Sequence, residues 1–339
     1  MKAYIEDIKF FVPNSKLSNE DLAEINPEWN VERIYNKTGI NNRYIASKDQ
    51  TATDLAVEAG KLLLDEVEGL KDRIDYIILC TQSPDYYLPS SACLIQDRLE
   101  LKESVGAIDV NQGCSGFVYS IGLAKGLIET NQAKNILVFT ADTYSKYIND
   151  KDKSVKTLFG DAAACTLLKA SEHRNDEFIS NPVYGTNGKG AFDLIVPDGG
   201  ARSPISNASY FEEKDESNNV RNQSNLFMDG KEIYLFTLST IPKIFNQILE
   251  KEQLTLGDID VVIFHQANKF ILDSLQKKLK IPEEKMHRSY QEFGNTVSST
   301  IPIALKIDML KNNSLKTKRI ALVLGFGVGL SWAGAIIKC

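Results

Sequence analysis

Asp109–Phe117 reads "DVNQGCSGF". One cysteine, Cys114, sits between Gly113 and Gly116. The apolar run "GAIDV" (106–110) precedes it with strand character, and "GFVYSIGLAKGLIET" (116–130) follows with helical pattern. A buried thiol needs no such setting, whereas a nucleophile does. A helix start carries unpaired N–H groups and partial positive charge. The Cys114 thiol is therefore expected below the free value of about 8.5. The two glycines permit unusual backbone angles and close approach of a substrate. Read locally, the alternative is a structural cysteine in a tight strand-to-helix turn.

The same strand-then-helix grammar runs outward in both directions. "DYIILC" (75–80), "NILVFT" (135–140), "AACTLL" (163–168), "DVVIFH" (260–265) and "RIALVLGF" (319–326) read as strands. Helical pattern fits 52–66, 90–99, 231–251, 268–279 and 299–311. The alternation is that of an α/β architecture. There is also an internal echo. "IDYIILCTQS" (74–83) is answered by "IDVVIFHQAN" (259–268), and "KNILVFTAD" (134–142) by "KRIALVLGF" (318–326). Repeated in the same order, these pairs predict two similar halves, 1–170 carrying the cysteine and 171–339 carrying a histidine and an asparagine. Residues 203–226 break the pattern, being polar, charged and poor in aliphatics. They read as a surface excursion, either a lid or a mobile loop.

Composition narrows the function classes. The chain has 339 residues, 43% of them hydrophobic, and a formal net charge of -6, which suits a globular enzyme and not a nucleic-acid binder. Cys80, Cys93, Cys114, Cys165 and Cys339 form no CxxC pair, so neither a metal site nor a disulfide framework is expected, and a cytoplasmic location with reduced thiols is. The N-terminal stretch is interrupted by Glu6, Asp7 and Lys9 and does not read as a signal peptide. The uncharged run Ile320–Ile337 has nearly the length of a membrane span, which takes about 20 residues. Its glycines at 325, 327, 329 and 334 argue instead for strand, glycine loop and strand in a core.

Three histidines are available. His173 lies in a polar loop, and His287 reads as structural, at or before a strand. His265 stands where "DVVIFH" gives way to "QAN", at the C-terminal end of a strand, where sites gather in α/β folds. With Asn268 it can orient or protonate a ligand; the alternative is a satisfied core histidine. "YQEFGNTVSST" (290–300) reads as strand, Gly294, Asn295 and a Ser/Thr-rich helix start. In the two-half scheme Asn295 takes the place of Cys114. The alternative is a plain cap or turn residue.

"DVNQGCSGF", "HQAN", "FGNTVSSTIP" and "GFGVGLSWAG" occur in this order, together with "TGINNRYIA", "LPSSACLIQ" and "LFGDAAA". On these motifs the chain resembles the β-ketoacyl-acyl carrier protein synthase III family of the thiolase superfamily, over nearly its whole length. The resemblance implies a thiolase-like five-layered αβαβα fold of two pseudo-repeated halves, and a homodimer. It implies a Cys114–His265–Asn295 triad, a Cys114-bound acyl group taken from an acyl-CoA or acyl-carrier thioester, and decarboxylative condensation with malonyl-acyl carrier protein. A backbone oxyanion hole is implied at the Cys114 N–H and the Phe326–Gly327–Val328 loop. Coenzyme A or phosphopantetheine thioesters are then substrates, with no resident cofactor and no metal. Neither a nucleic acid nor a membrane is an expected partner. Acyl transfer to an oxygen or nitrogen acceptor without decarboxylation is the alternative, and a non-catalytic partner subunit is a third. A 3-hydroxy-3-methylglutaryl-CoA synthase needs an acidic base near the cysteine, and the nearest acids in sequence, Glu103 and Asp109, have no obvious claim to the role.

The resemblance also has departures. Val328 interrupts a loop that often has three glycines. Arg33 and Lys37 fall where the family holds the coenzyme A adenine, beside an insertion-like feature at Trp29. Leu235 and Phe270 replace basic residues of the mouth, leaving Lys269, Lys277 and Lys278 for docking an acidic carrier. "NLFMDGKEIY" implies that Met228, Gly230 and Tyr234 lie near the pantetheine arm. Leu88 takes the place of a phenylalanine that reaches the acyl pocket across the dimer.

Overall fold

A computed structural model describes residues 1–171, 178–312 and 319–338. His173 and Cys339 lie outside the described residues. The first sheet holds β1 (Lys2–Phe11), β2 (Tyr76–Cys80), β3 (Gly106–Val110), β4 (Asn135–Asp142) and β5 (Ala162–Ser171), in the order β1-β5-β4-β2-β3. The second holds β6 (Phe178–Ile179), β7 (Val183–Thr186), β8 (Val261–Phe264), β9 (Ile320–Gly327) and β10 (Ser331–Lys338). Its order is β8-β9-β10, with β6 and β7 both pairing with β10.

Pairing directions correspond between the sheets. β4 is parallel to β2 and antiparallel to β5; β9 is parallel to β8 and antiparallel to β10. The parallel pair β2–β3 has its counterpart in a single parallel bridge from Val262 to Met286. The echo read from "IDYIILC" and "IDVVIFH" is thus an echo of sheet position. The uncharged run 320–337 forms the antiparallel pair β9–β10, in register from Ile320 opposite Lys338 to Gly327 opposite Ser331. No helix of the described residues is long and apolar enough to cross a membrane.

Alternation along the central strands makes the layers. Ile77 and Leu79 of β2 pack with Leu55, Ala59 and Leu63 of α1 (Ala52–Leu64) and with α2 (Ser91–Arg98) on the outer face. Ile78, between them, faces Phe117 and Ile121 of α3 (Gly116–Glu129). In the second sheet, Val261 and Ile263 of β8 face the same middle core, which takes in Ile301 and Leu305 of α6 (Thr300–Asn312). Val262 and Phe264 point the other way, onto α4 (Gly230–Glu252) and α5 (Lys269–Leu279). Strand residues with period two therefore separate three cores. The five layers are helices, sheet, helices, sheet and helices, with α3 and α6 sandwiched at the centre.

One expected element is absent. Residues 290–293 form a short helix, Tyr290–Phe293, and not a strand. Tyr290 and Phe293 are three apart, so a helical turn puts both aromatics on one side. Tyr290 is buried, and Phe293 packs edge-on against Phe10 at 5.8 Å. Gly294 ends the turn at φ 66, a conformation that favours glycine.

Two glycines separate tight packing from open helix. A Cβ on Gly325 would fall 2.5 Å from the carbonyl oxygen of Cys114 and 2.7 Å from Cα of Ser115, both backbone atoms. A Cβ on Gly126, inside α3, would meet nothing within 4 Å. We expect Gly325→Ala to lower the unfolding free energy by about 1–3 kcal/mol, and Gly126→Ala to raise it by about 0.4–1 kcal/mol. Urea midpoints of the two variants check both signs.

Candidate active site

Cys114 sits in the turn from β3 to α3 with 4% of its surface exposed. The end of β9 covers it: a Cβ on Gly327 would lie 3.0 Å from Sγ. The backbone N–H groups of Cys114 and Val328 approach the sulfur and favour its thiolate. Burial is the larger effect, however, and the Asp142 carboxylate adds to it, so the thiol is pushed up to about 12. The expected lowering by the helix start is therefore overturned. Two amides and a helix terminus do not offset complete burial beside an acid.

Asp142 was not anticipated from the sequence, being 28 residues from Cys114 along the chain. It ends β4 and is fully buried. Its Oδ1 accepts from the Gln82 backbone N–H at 2.8 Å; its Oδ2 accepts from the Ser298 hydroxyl at 2.5 Å and from the Ser298 N–H at 3.2 Å. Burial raises its carboxyl to about 7 against these donors. The residue joins the first half to the loop that carries Asn295. Its position at the C-terminal end of "NILVFTAD" was the available signal.

His265 follows β8 directly and is 2% exposed. Burial lowers its pKa to about 3, so the imidazole is neutral. Nδ1 lies 2.7 Å from the Thr300 hydroxyl, at the first residue of α6, and Phe326 of β9 meets the ring edge-on at 5.8 Å. Asn295 is buried between Gly294 and a 3-10 turn, Val297–Ser299. Its Oδ1 accepts from the Val297 N–H at 3.0 Å, which fixes the amide orientation. Its Nδ2 has no protein partner among the described residues. Unlike Cys114, Asn295 lies five residues before its helix, with that extra turn between. His287 is a partly buried histidine away from this site, whose backbone N–H donates to Val262 O at 3.1 Å.

Cys114, His265 and Asn295 open onto one cavity of about 630 Å³. Arg33, Lys37, Met228, Gly230, Tyr234, Asn268, Phe326 and Gly327 line it as expected. Asn268 does so while capping α5, its Oδ1 accepting from the Ile271 N–H at 3.0 Å. Tyr234 stacks on Phe270 at 4.9 Å. Trp29 is buried against Leu22 and Ile34, a core residue at the entry to the helix Val31–Thr38. The sequence reading missed Lys153, Lys231, Ser217 and Asn219 on the cavity wall. Ser217 and Asn219 bring the tip of the 203–226 excursion to the site. Its base is held by Arg221, which donates to Asp152 at 2.8 Å and to Asp215 at 2.7 Å.

Five expected residues lie outside this cavity. Val328 lines a neighbouring one. Leu88 is 82% exposed and does not reach this chain's own site. Lys269, Lys277 and Lys278 lie exposed on α5, outside the mouth, and Lys269 is paired with Asp273.

The fold and the buried cysteine, histidine and asparagine define a class, the thiolase-fold condensing enzymes. Residues 108–188 match the family model for 3-oxoacyl-[acyl-carrier-protein] synthase III, and residues 249–339 match the model for its C-terminal part. The β-ketoacyl-[acyl-carrier-protein] synthase III of Clostridium perfringens is 38% identical over 328 residues, covering 97% of this chain and 96% of that one. That of Fusobacterium nucleatum is 34% identical over 98% of both chains. A crystal structure of a 3-oxoacyl-(acyl-carrier-protein) synthase III aligns over 100% of both chains at 46% identity, with a TM-score of 0.96. The Burkholderia xenovorans enzyme aligns over 100% of this chain and 94% of its own at 35% identity, with a TM-score of 0.91. The chain belongs to the β-ketoacyl-acyl carrier protein synthase III family.

A neutral buried imidazole has a stability signature. The folded pKa of His265 is below its unfolded value, so the unfolded chain binds the extra proton as pH falls. Relative to His265→Gln, the wild type should lose unfolding free energy as pH drops from about 6.5 towards 4. Paired urea titrations across that window check it. An NMR titration should show no His265 ionisation between about pH 5 and 9.

Proposed function

We propose that this chain catalyses the decarboxylative condensation of a Cys114-bound acyl group with a malonyl thioester, giving a β-ketoacyl thioester. One observation carries the reading: a thiol, a neutral imidazole and an amide whose oxygen is already occupied converge on the same cavity. In the first step the Cys114 Sγ–acyl bond forms as the donor's C–S bond breaks, and the thiol proton leaves on the departing sulfur. A thiol held at about 12 attacks only as that proton is lost, so deprotonation belongs to the arrival of the thioester. The N–H groups of Cys114 and Val328, which approach the sulfur, are assigned in this reading to the tetrahedral oxygen.

In the second step the malonyl carboxylate leaves as carbon dioxide. Its bonding electrons form an enolate, which attacks the acyl carbon and releases the cysteine sulfur to take up a proton. Negative charge develops on the malonyl thioester oxygen, where Asn295 Nδ2 and His265 Nε2 act as donors. Donation from Nε2 requires Nδ1 to be the acceptor. The Thr300 hydroxyl has one proton, shared between Nδ1 at 2.7 Å and the Val297 carbonyl at 3.0 Å. Placed on Nδ1, it keeps the imidazole in the donating tautomer.

Arg33, Lys37, Lys153 and Lys231 around the cavity suit the phosphates of coenzyme A or phosphopantetheine, and Lys277 and Lys278 suit docking of an acidic carrier protein. The reading includes a cytoplasmic homodimer: Tyr86, Tyr87 and Leu88 form an exposed apolar stretch that a second copy would cover.

Intact-protein mass after acyl-CoA treatment, then a malonyl-carrier chase with carbon dioxide detection, tests the proposal. Cys114→Ala should take no acyl group. Asn295→Ala should still be acylated, with condensation down by about 10²–10³. Thr300→Val should keep acylation and lower kcat for condensation by about tenfold or more, and Thr300→Ser should restore it. Equal loss in Thr300→Ser and Thr300→Val would remove the tautomer role.

A further inference from the structure

A second cavity, of about 300 Å³, adjoins the nucleophile. It shares Leu194 with the main cavity, and its wall includes Val328, the residue after Gly327. Leu194, Val196 and Leu226 give it an apolar side. Gln82, Asn111, Tyr144 and Tyr147 give it a polar one. These groups are close to the chemistry. A Cβ on Gly113, the residue before the nucleophile, would fall 2.6 Å from Gln82 Oε1 and 2.5 Å from Val328 Cγ1.

The polar groups are chained. The buried Tyr144 hydroxyl donates to Gln82 Oε1 at 2.6 Å, and Gln82 Nε2 donates to Asn111 Oδ1 at 3.1 Å. This uses the only proton on Tyr144 and one of two on Gln82. Among the described residues, the second Gln82 N–H, the Asn111 amide N–H groups and the lone pairs of Tyr144 keep capacity to spare. No lining residue is charged. A hydrocarbon tail would pack on the apolar side, but on the polar side it would remove water from donors and acceptors without replacing their hydrogen bonds. A carboxylate tail would meet no cation. A neutral hydroxyl both gives and takes a hydrogen bond, and the apolar side covers the carbons around it.

We infer that the acyl group held on Cys114 is a short hydroxyacyl chain, its hydroxyl bound by Gln82, Asn111 and Tyr144. The inference rests on the condensing reading above and names its donor class. 3-Hydroxybutyryl-CoA, as each enantiomer, and butyryl-CoA have the same carbon chain and differ only in the hydroxyl. Rates of Cys114 acylation, read by intact mass, should favour one hydroxy enantiomer over butyryl by about tenfold or more. Gln82→Leu and Tyr144→Phe should remove most of that preference while leaving acetyl-CoA acylation within about threefold of wild type. The wild-type ratio needs no variant to fold. A ratio near one, or one favouring butyryl, overturns the inference while acetyl transfer and the malonyl chase still report on condensation. Failure of acetyl transfer and of the chase overturns both.

Discussion

The structure depends on a close approach between the end of β9 and the turn that carries Cys114. Gly325 lies against the backbone of Cys114 and Ser115, and Gly327 against the sulfur itself. No side chain fits between them. The second half of the chain therefore forms the roof over a nucleophile supplied by the first. Ser115 and Ser331 share a hydrogen bond at 2.7 Å across the same seam, and Ser331 also donates to the Val328 carbonyl at 2.8 Å. That bond holds the Val328–Gly329 peptide, the one that follows the peptide whose N–H faces the thiol. Asp142 makes a second tie, with Gln82 on its own side and Ser298 on the other. Both ties lie beside the reacting atoms, so the relative position of the halves and the geometry of the site are the same quantity.

The chemistry follows from burial. Cys114 and His265 are both removed from water, and both are driven to their neutral forms, the thiol to about 12 and the imidazole to about 3. A resting ion pair between them would carry a large desolvation penalty. Neutrality suits the second step. An imidazolium would protonate an enolate that must stay a carbon nucleophile, whereas a neutral N–H stabilises its oxygen without ending its reactivity. The carboxyl nearest the sulfur, Asp142, is held by four donor groups and has none of its own oxygens facing the cavity wall as a lining group. Its effect on the thiol is through space and adds to burial in keeping the resting cysteine protonated.

The fold was largely legible because its strands are buried on both faces and its outer helices on one. Runs such as "DYIILC" and "DVVIFH" have few other readings in a chain that alternates with amphipathic helices. Cys114, His265 and Asn295 were legible because each stands where an apolar run meets a glycine or a polar break. What failed was quantitative or non-local. The charge state of Cys114 turned on burial by β9, about 210 residues away in sequence, against a helix-terminus effect of about 0.3–1 kcal/mol. Tyr290–Phe293 read as a strand because four residues do not distinguish period two from period three. Asp142 had only its strand-end position as a signal, while Thr300, Lys153 and Ser217 were invisible because they enter the site through packing, and each is an ordinary helix or loop residue in its local context.

The two cavities explain why the motifs identify a reaction more readily than a substrate. The cysteine, the histidine and the asparagine act on the thioester, a group common to every donor and extender, so their setting needs only the two carbonyls. The acyl tail is met by Gln82, Tyr144 and Leu226, which come from a strand end, a 3-10 turn and the end of the polar excursion. None of these belongs to a motif that carries the chemistry. Because Gln82 also donates its backbone N–H to Asp142, its main chain is tied to the catalytic seam while its side chain faces the tail. A side-chain change there alters what is held without moving what reacts, which lets one scaffold serve different acyl groups.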